Sequence, residues 1–207
     1  MKIDIEKREK VKLGDISETI TKGTTPTTIG FDFQKEGINF IKIESINDDG
    51  HFLPEMFKHI STDCNEKLSR SKLLKNDILF SIAGALGRVA LVTEDILPAN
   101  INQTLAIIRI PNNVVNYQYL FYALKSKEVL KQFEEQKRGN SQQNLSLDDI
   151  KNINIHLPPL EEQERIVKII EKKLTFVEKV KNVVDELSSY INALPSSILR
   201  KAFNGDY

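Results

Sequence analysis

The sequence predicts an α+β fold in which a mixed-sheet domain of short strands precedes one long helix. Short apolar runs, bounded by polar or glycine-bearing stretches, fill the chain from Lys12 to about Leu157, as expected for strands joined by turns. Beyond Leu160 the apolar residues follow a helical heptad pattern instead, and two prolines separate the two patterns. We therefore expect two domains, residues 1–157 and residues 158–207.

The apolar runs predict four strands, over residues 38–43, 77–82, 88–92 and 104–110. The helical spacing of the apolar residues between Tyr117 and Phe133 predicts one helix over about residues 117–136. Ser146 and Asp149 have the spacing of a capping box, so a short helix is expected to begin after Ser146. Regular crossover helices do not separate the strands, which favours a mixed sheet over a doubly wound parallel sheet.

The segment after Leu160 predicts a helix that pairs with another helix. It contains neither proline nor glycine up to Leu194, and its apolar residues recur at alternating steps of four and three, interrupted only by Lys173. The apolar positions of this seam are Ile166, Ile170, Val177, Val180, Val184, Leu187, Ile191 and Leu194. About 34 residues would make a helix roughly 50 Å long, which exceeds what one small domain can cover. Two partners stay open, namely a separate short C-terminal helix over 196–203 that folds back after Pro195, or a helix of a second chain.

Composition favours a protein-interaction module. Lys and Arg number 29, equal to Asp and Glu, and no polybasic run occurs, whereas a protein that binds nucleic acid alone usually has a basic surplus. DNA contact would therefore need segregated cations or a partner that supplies them. The single cysteine, Cys64, excludes an internal disulfide and suits a reducing cytosol. No apolar run is long enough to span a membrane and no signal-peptide pattern begins the chain, so we expect a cytoplasmic location.

Motifs for catalysis and for metal binding are missing from the sequence. It has no Walker P-loop, no base-methylation motif, and three widely spaced histidines without a cysteine pair. The nuclease-like tripeptides at 135–137 and 171–173 follow no Pro-Asp pair. We expect a chain that is not an enzyme and that holds neither a metal nor a cofactor.

Three stretches combine amide, hydroxyl and cationic side chains. They are residues 22–28, residues 81–88 together with 100–103, and residues 137–144. Asn and Gln can pair with adenine, Arg can pair with guanine, and Thr, Ser and Lys commonly contact phosphates. Solvated loops accumulate the same residue types, so composition alone leaves both interpretations open.

Six motifs in order carry a family resemblance. They are Lys12-Leu13-Gly14-Asp15-Ile16, Gly23-Thr24-Thr25-Pro26, Gly84-Ala85-Leu86-Gly87-Arg88, Asn100-Ile101-Asn102-Gln103, Gly139-Asn140-Ser141-Gln142-Gln143-Asn144-Leu145-Ser146 and Leu157-Pro158-Pro159-Leu160-Glu161-Glu162-Gln163-Glu164-Arg165-Ile166-Val167. Together they resemble the DNA-specificity (S) subunit of Type I restriction–modification systems. The last motif is the most specific, and the resemblance covers nearly the whole chain from about Lys10.

The resemblance implies that the globular domain is a target-recognition domain for one part of a bipartite double-stranded DNA sequence. It implies modification (methyltransferase) subunits as partners, which would carry S-adenosylmethionine, and a restriction subunit as an optional further partner. The candidates for base or groove contacts are Arg138, Asn140, Gln142 and Gln143. The candidates for backbone contacts are Lys22, Thr24, Thr25, Lys42, Arg88 and Asn102. The stretch 100–103 could instead be a structural turn.

Each motif occurs once, whereas a complete family member carries two recognition domains and two conserved helices. The chain thus resembles half a subunit, and the seam predicts a homodimer, or a pair with another half-subunit, whose antiparallel helices set the gap between two half-sites. The rival hypothesis is a protein-interaction adaptor, such as an anti-restriction or assembly factor, that uses the helix without contacting DNA. A solo methyltransferase or nuclease fragment is disfavoured by the missing motifs.

Overall fold

A computed structural model of the chain describes residues 9–134 and 144–204. The chain divides into two compact units after Gln163. The part up to Gln163 is termed the globular unit and contains strands and short helices, and the part from Glu164 is termed the helical unit. Strands in mixed sheets followed by a long C-terminal helix confirm the predicted fold class.

Nine strands occur within the described residues. They are β1 Lys10–Lys12, β2 Thr19–Lys22, β3 Ile38–Ile41, β4 Lys58–Ile60, β5 Ile78–Ser81, β6 Val89–Leu91, β7 Ala99–Ile101, β8 Leu105–Arg109 and β9 Asn154–His156. The four predicted strands are present as β3, β5, β6 and β8. The other five have only three or four residues each, and most of them are rich in polar side chains, so no apolar run in the sequence predicts them.

The strands form three small sheets. A four-stranded sheet has the order β2-β8-β5-β6, with every neighbour antiparallel. A three-stranded sheet has the order β4-β3-β7, in which β3 is antiparallel to β4 and parallel to β7. The first and last strands, β1 and β9, pair antiparallel and bring the two ends of the globular unit together.

The main core joins the two larger sheets. Leu79 and Ile107 of the four-stranded sheet cluster with Ile41 and Ile101 of the three-stranded sheet, and all four side chains are 0% exposed. A smaller cluster surrounds Phe40 on the other side of β3. The two sheets therefore hold each other in place through apolar burial, which is the dominant stabilising term in folding.

Six α-helices occur within the described residues: α1 Leu13–Ile16, α2 Thr62–Lys67, α3 Tyr117–Leu124, α4 Lys127–Glu134, α5 Leu147–Lys151 and α6 Leu160–Asn204. The expectation of one helix over 117–136 is wrong, because α3 and α4 are separate helices. Ser126 accounts for the break, since its Oγ accepts a hydrogen bond from Val129 N (3.3 Å) and so begins a new helix. The capping box at Ser146 is confirmed: Ser146 Oγ accepts from Asp149 N (3.1 Å) and Asp149 Oδ2 accepts from Ser146 N (2.8 Å).

The expectation of a separate C-terminal helix after Pro195 is also wrong. Helix α6 is continuous through Pro195 to Asn204. Ile198 follows Ile191 by seven residues, so the apolar phase of the helix is the same before and after the proline. Proline lacks a backbone N–H, so α6 has one backbone hydrogen bond fewer at Pro195.

The first turn of α6 is held inside the globular unit by Gln163, whose residue exposure is 1%. Its Nε2 donates to Pro158 O (2.7 Å), and its Oε1 accepts from Asn116 N (2.8 Å) at the start of α3. The glutamine of the Pro-Pro-Leu-Glu-Glu-Gln motif thus satisfies two backbone groups that would otherwise be buried without partners.

Candidate nucleic-acid interface

Strand register places several loops at one edge of the four-stranded sheet. Lys22 at the end of β2 pairs with Ala106 near the start of β8, and Ser81 at the end of β5 pairs with Leu105. Phe80 pairs with Val89, the first residue of β6. The loops 23–29, 82–88 and 102–104 therefore meet at this edge, which is termed the loop edge.

The three-stranded sheet ends at the same place. Ile41 of β3 lies beside Ile101 of the parallel strand β7, and Asn102 N donates to Ile41 O (3.3 Å). Lys42, the next residue along the chain, is thereby brought to the loop edge. All six predicted contact residues within the described part of the chain lie there: Lys22, Thr24, Thr25, Lys42, Arg88 and Asn102.

The other four predicted residues, Arg138, Asn140, Gln142 and Gln143, lie outside the described residues. The described residues on either side of them are close to the loop edge. Phe133 places its ring centroid 5.8 Å from that of Phe80. Leu145 N donates to Ile82 O (2.8 Å), directly after β5.

Gly23 allows the loop after β2 to cross the end of β7. A Cβ at this position would lie 1.9 Å from Ile101 O, so every other residue type would collide with the backbone there. The crossing brings Thr25 to Gln103, and Thr25 Oγ1 donates a hydrogen bond to Gln103 Oε1. Gln103 is exposed to solvent.

Two asparagines of the stretch 100–103 use their amides inside the fold. Asn102 Oδ1 accepts from Thr104 N (3.3 Å) and Thr104 Oγ1 (2.7 Å). Asn100 Nδ2 donates to Asn65 Oδ1 (2.9 Å) and to Leu68 O (3.1 Å). Both asparagines are buried. These contacts support the interpretation of this stretch as a structural turn, with Gln103 as its outward-facing amide.

Arg88 is also engaged within the fold. Its Nη1 donates to Ile46 O (2.7 Å) and to Ile43 O (3.3 Å), and its Nη2 donates to the carboxylate of Asp48. The guanidinium therefore fixes the segment 43–48 against the start of β6. Lys125 holds the residue that follows this segment, since its Nζ donates to Asp49 O (2.5 Å). Burial lowers the pKa of Lys125.

The described residues of the loop edge carry little unpaired positive charge. Lys42 Nζ lies 3.6 Å from Glu44 Oε1 and 5.1 Å from the ring centroid of Phe33, and Arg88 is paired with Asp48. Among the predicted cations that the structure describes, Lys22 is exposed and forms no ion pair with another described residue. Residues 9–134 and 144–204 contain no group of three His, Cys, Asp or Glu that could hold a metal ion.

Residues 5–187 of the chain match a family model described as "Type I restriction modification DNA specificity domain". The chain belongs to this family. The family resemblance predicted from the six motifs is thus confirmed.

Curated specificity subunits are similar over much of this chain. The EcoBI specificity subunit of Escherichia coli is 34% identical over 83% of this chain and 36% of its own length. The putative MjaX specificity subunit of Methanocaldococcus jannaschii is 28% identical over 97% of this chain and 45% of its own length. The chain therefore spans less than half the length of these Type I specificity relatives.

Solved structures share the fold. A chain from a type I R-M system matches with a TM-score of 0.72 at 24% identity, over 94% of this chain and 49% of that chain. The HsdS subunit from Thermoanaerobacter tengcongensis matches with a TM-score of 0.66 at 23% identity, over 84% of this chain and 44% of that chain. No helix in the described part of this specificity-family chain is long and apolar enough to cross a membrane.

Sequence reasoning missed two features of this specificity domain. The outward orientation of Gln103 was missed because this residue lies in the turn between β7 and β8, where strand alternation does not separate inward from outward side chains. The segment 43–50 was also missed, because its role depends on Arg88 and Lys125, which are distant in sequence. Only the fold brings these residues together.

Proposed function

We propose that this chain is the DNA-recognition subunit of a Type I restriction–modification complex, and that its loop edge contacts one half of a bipartite double-stranded target. The convergence of six candidate contact residues at one edge is the observation that carries this proposal. Loops on a rigid sheet are a common site of binding residues. The similarity to specificity subunits of Type I restriction enzymes supports it.

The chain acts without catalysing a reaction, and partner modification subunits carry S-adenosylmethionine and methylate the DNA. The described residues of the loop edge support this division of labour, because Lys22 is the one predicted cation among them outside an ion pair. Phosphate contacts dominate the affinity of proteins for DNA, and they require cations that are free to meet the backbone. The cations of Lys42 and Arg88 are already paired with Glu44 and Asp48, so cationic surface on the modification subunits supplements them. A restriction subunit is an optional further partner.

Two copies of the chain, or this chain and another half-specificity subunit, pair through the heptad seam of α6. Val184, Leu187 and Ile191 are 53%, 55% and 64% exposed in the single chain. An apolar stripe of this kind at a and d positions is buried when two helices supercoil around each other. Antiparallel pairing makes α6 a spacer that sets the distance between the two half-sites.

A second apolar stripe lies beside the seam, one residue before each a position. Its members Ile169, Phe176, Val183 and Tyr190 repeat every seven residues, and Phe176 and Tyr190 are 67% and 63% exposed. A two-helix seam needs only two apolar positions per heptad, whereas a helix in a larger bundle uses three. We assign this second stripe to a modification subunit that docks along α6.

Selection from a pool of random DNA duplexes tests the proposal, with the chain alone and with its modification subunits. We expect enriched duplexes to carry two identical inverted half-sites at one fixed gap, and affinity to rise when the modification subunits are present. Maps of methylated adenine in cells with and without the gene should give the same target. If the chain binds other proteins through α6 and no duplex is enriched in either selection, the adaptor hypothesis holds instead.

A further inference from the structure

We infer that Gln103 contacts a base directly, and that its carboxamide pairs with an adenine in the major groove. The inference rests on the proposed function, because it requires that the loop edge meet DNA. It adds one residue to the candidate contacts and names the base that this residue recognises. Three properties of Gln103 carry it: its position, the rigidity of its backbone and the fixed orientation of its amide.

The position of Gln103 is central at the loop edge. It lies in the turn between β7 and β8, the two strands that connect the three-stranded sheet to the four-stranded sheet. The loop after β2 reaches it from one side through Thr25. Its sequence neighbour Asn102 is buried and Thr104 is half-buried, whereas Gln103 itself is exposed.

The backbone on both sides of Gln103 is held by other strands. Asn102 N donates to Ile41 O (3.3 Å), which ties the turn to β3. Ile82 N donates to Thr104 O (2.9 Å), which ties it to the end of β5. The Asn102 side chain closes the turn by accepting two hydrogen bonds from Thr104. A contact residue on such a support loses little conformational entropy on binding.

The side chain of Gln103 is oriented before any ligand arrives. Thr25 Oγ1 donates to Gln103 Oε1, which occupies one of the two acceptor sites of that oxygen. The second acceptor site is left for a ligand, and so is Nε2, to which no described residue is hydrogen-bonded. Gln103 therefore presents one acceptor and one donor side by side.

Adenine is the base that complements this pair of groups. In the major groove adenine offers the N6 amino group as a donor and N7 as an acceptor, and a glutamine amide meets both at once. Gln103 Oε1 would accept from N6, and Gln103 Nε2 would donate to N7. Guanine presents two acceptors in the same place and would leave Oε1 facing oxygen, so it is rejected.

Substitutions at Gln103, tested by duplex selection with the full chain and its modification subunits, distinguish this contact from others. Gln103→Ala should lower the preference for adenine at one position of each half-site by roughly 5- to 150-fold, the usual value of a bidentate contact, and leave the other positions unchanged. Gln103→Glu removes the donor and should move the preference at that position from adenine to cytosine, whose N4 amino group donates to a carboxylate. Thr25 can still donate to the new carboxylate.

The opposite edge of the sheet offers a matched control. There Tyr117 Oη donates to Asn112 Oδ1 (2.9 Å), so an exposed amide is again held by a hydroxyl group. Asn112→Ala should leave the selected sequence unchanged, and Thr25→Val should weaken adenine selection by less than Gln103→Ala does.

A uniform loss of affinity in Gln103→Ala, or an unchanged base preference in Gln103→Glu, would overturn the inference. If the chain without substitutions selects no DNA sequence at all, the proposed function is refuted and the inference about Gln103 is not the cause. The two failures are therefore distinguishable in one experiment.

Discussion

Replacing Leu187 by alanine should weaken the proposed dimer, because Leu187 is a seam residue that lies 55% exposed in the single chain. The change removes three carbon atoms worth about 0.8 kcal/mol each when buried, and the 55% of the side chain that is exposed gains this burial only on pairing, so the loss is about 1.3 kcal/mol per chain. Both chains of a homodimer carry the change. The total of about 2.6 kcal/mol corresponds to a Kd roughly 80 times higher.

Sedimentation equilibrium measures this Kd directly. Alanine is the strongest helix former, so Leu187→Ala should leave the helical content measured by circular dichroism intact. Asn182→Ala is the matched control, because Asn182 is exposed on the side of α6 opposite the seam and its replacement should leave the Kd unchanged. An equal effect of the two substitutions, or no effect of either, would refute the seam as the dimer interface.

Three further predictions concern the spacer, the junction and the core. Deleting residues 178–184 keeps the heptad phase and shortens α6 by about 10 Å, so the selected gap should shorten by about 3 base pairs or binding should be lost. An unchanged gap and affinity would exclude α6 as the spacer. Gln163→Leu leaves Asn116 N and Pro158 O without their side-chain partner, so we expect urea denaturation to show a free energy of unfolding lower by about 2–5 kcal/mol. The control Glu164→Leu, at an exposed position, should lower it by less than about 0.5 kcal/mol. Equal losses would assign Gln163 no special role. Cys64 is fully buried, and burial raises the pKa of its thiol. The contribution of the protonated Cys64 thiol to folding stability is therefore complete below the ordinary thiol pKa and is lost as the pH rises through the raised pKa. Iodoacetamide at pH 8 should modify Cys64 only after the chain unfolds. Rapid modification of the folded chain would contradict its burial.

The elements that the sequence predicted are those encoded in local patterns. The seam of α6 repeats every seven residues, and β5 and β8 are continuous apolar runs because the sheet that contains them is covered on both faces. Strands β2 and β4 are short and partly polar, so they become strands only through pairing with partners that are distant in sequence. The division between α3 and α4 depends on a single serine cap, which apolar periodicity does not detect.

The candidate site was predictable in composition and not in orientation. Two of the three stretches of amide, hydroxyl and cationic residues, 22–28 and 81–88 with 100–103, meet at the loop edge, and nearly all of the third lies outside the described residues. Which amides face outward depends on tertiary contacts, and here Asn100 and Asn102 turn into the fold while Gln103 does not. Arg88 likewise has the charge expected of a phosphate contact, yet its hydrogen bonds go to Ile43, Ile46 and Asp48.

The paired cations at the loop edge bear on how affinity and specificity are divided under the proposed function. Phosphate contacts give affinity that is insensitive to sequence, whereas amide contacts to bases give selectivity. An edge whose arginine stabilises its own loops, and whose exposed groups include an oriented amide, favours selectivity at the expense of affinity. Such a domain binds random DNA weakly when alone, so it does not compete with the many non-specific sites of a genome. Under the proposed function, we expect strong binding to require both assembly through α6 and a matching sequence, which would confine methylation to the correct target.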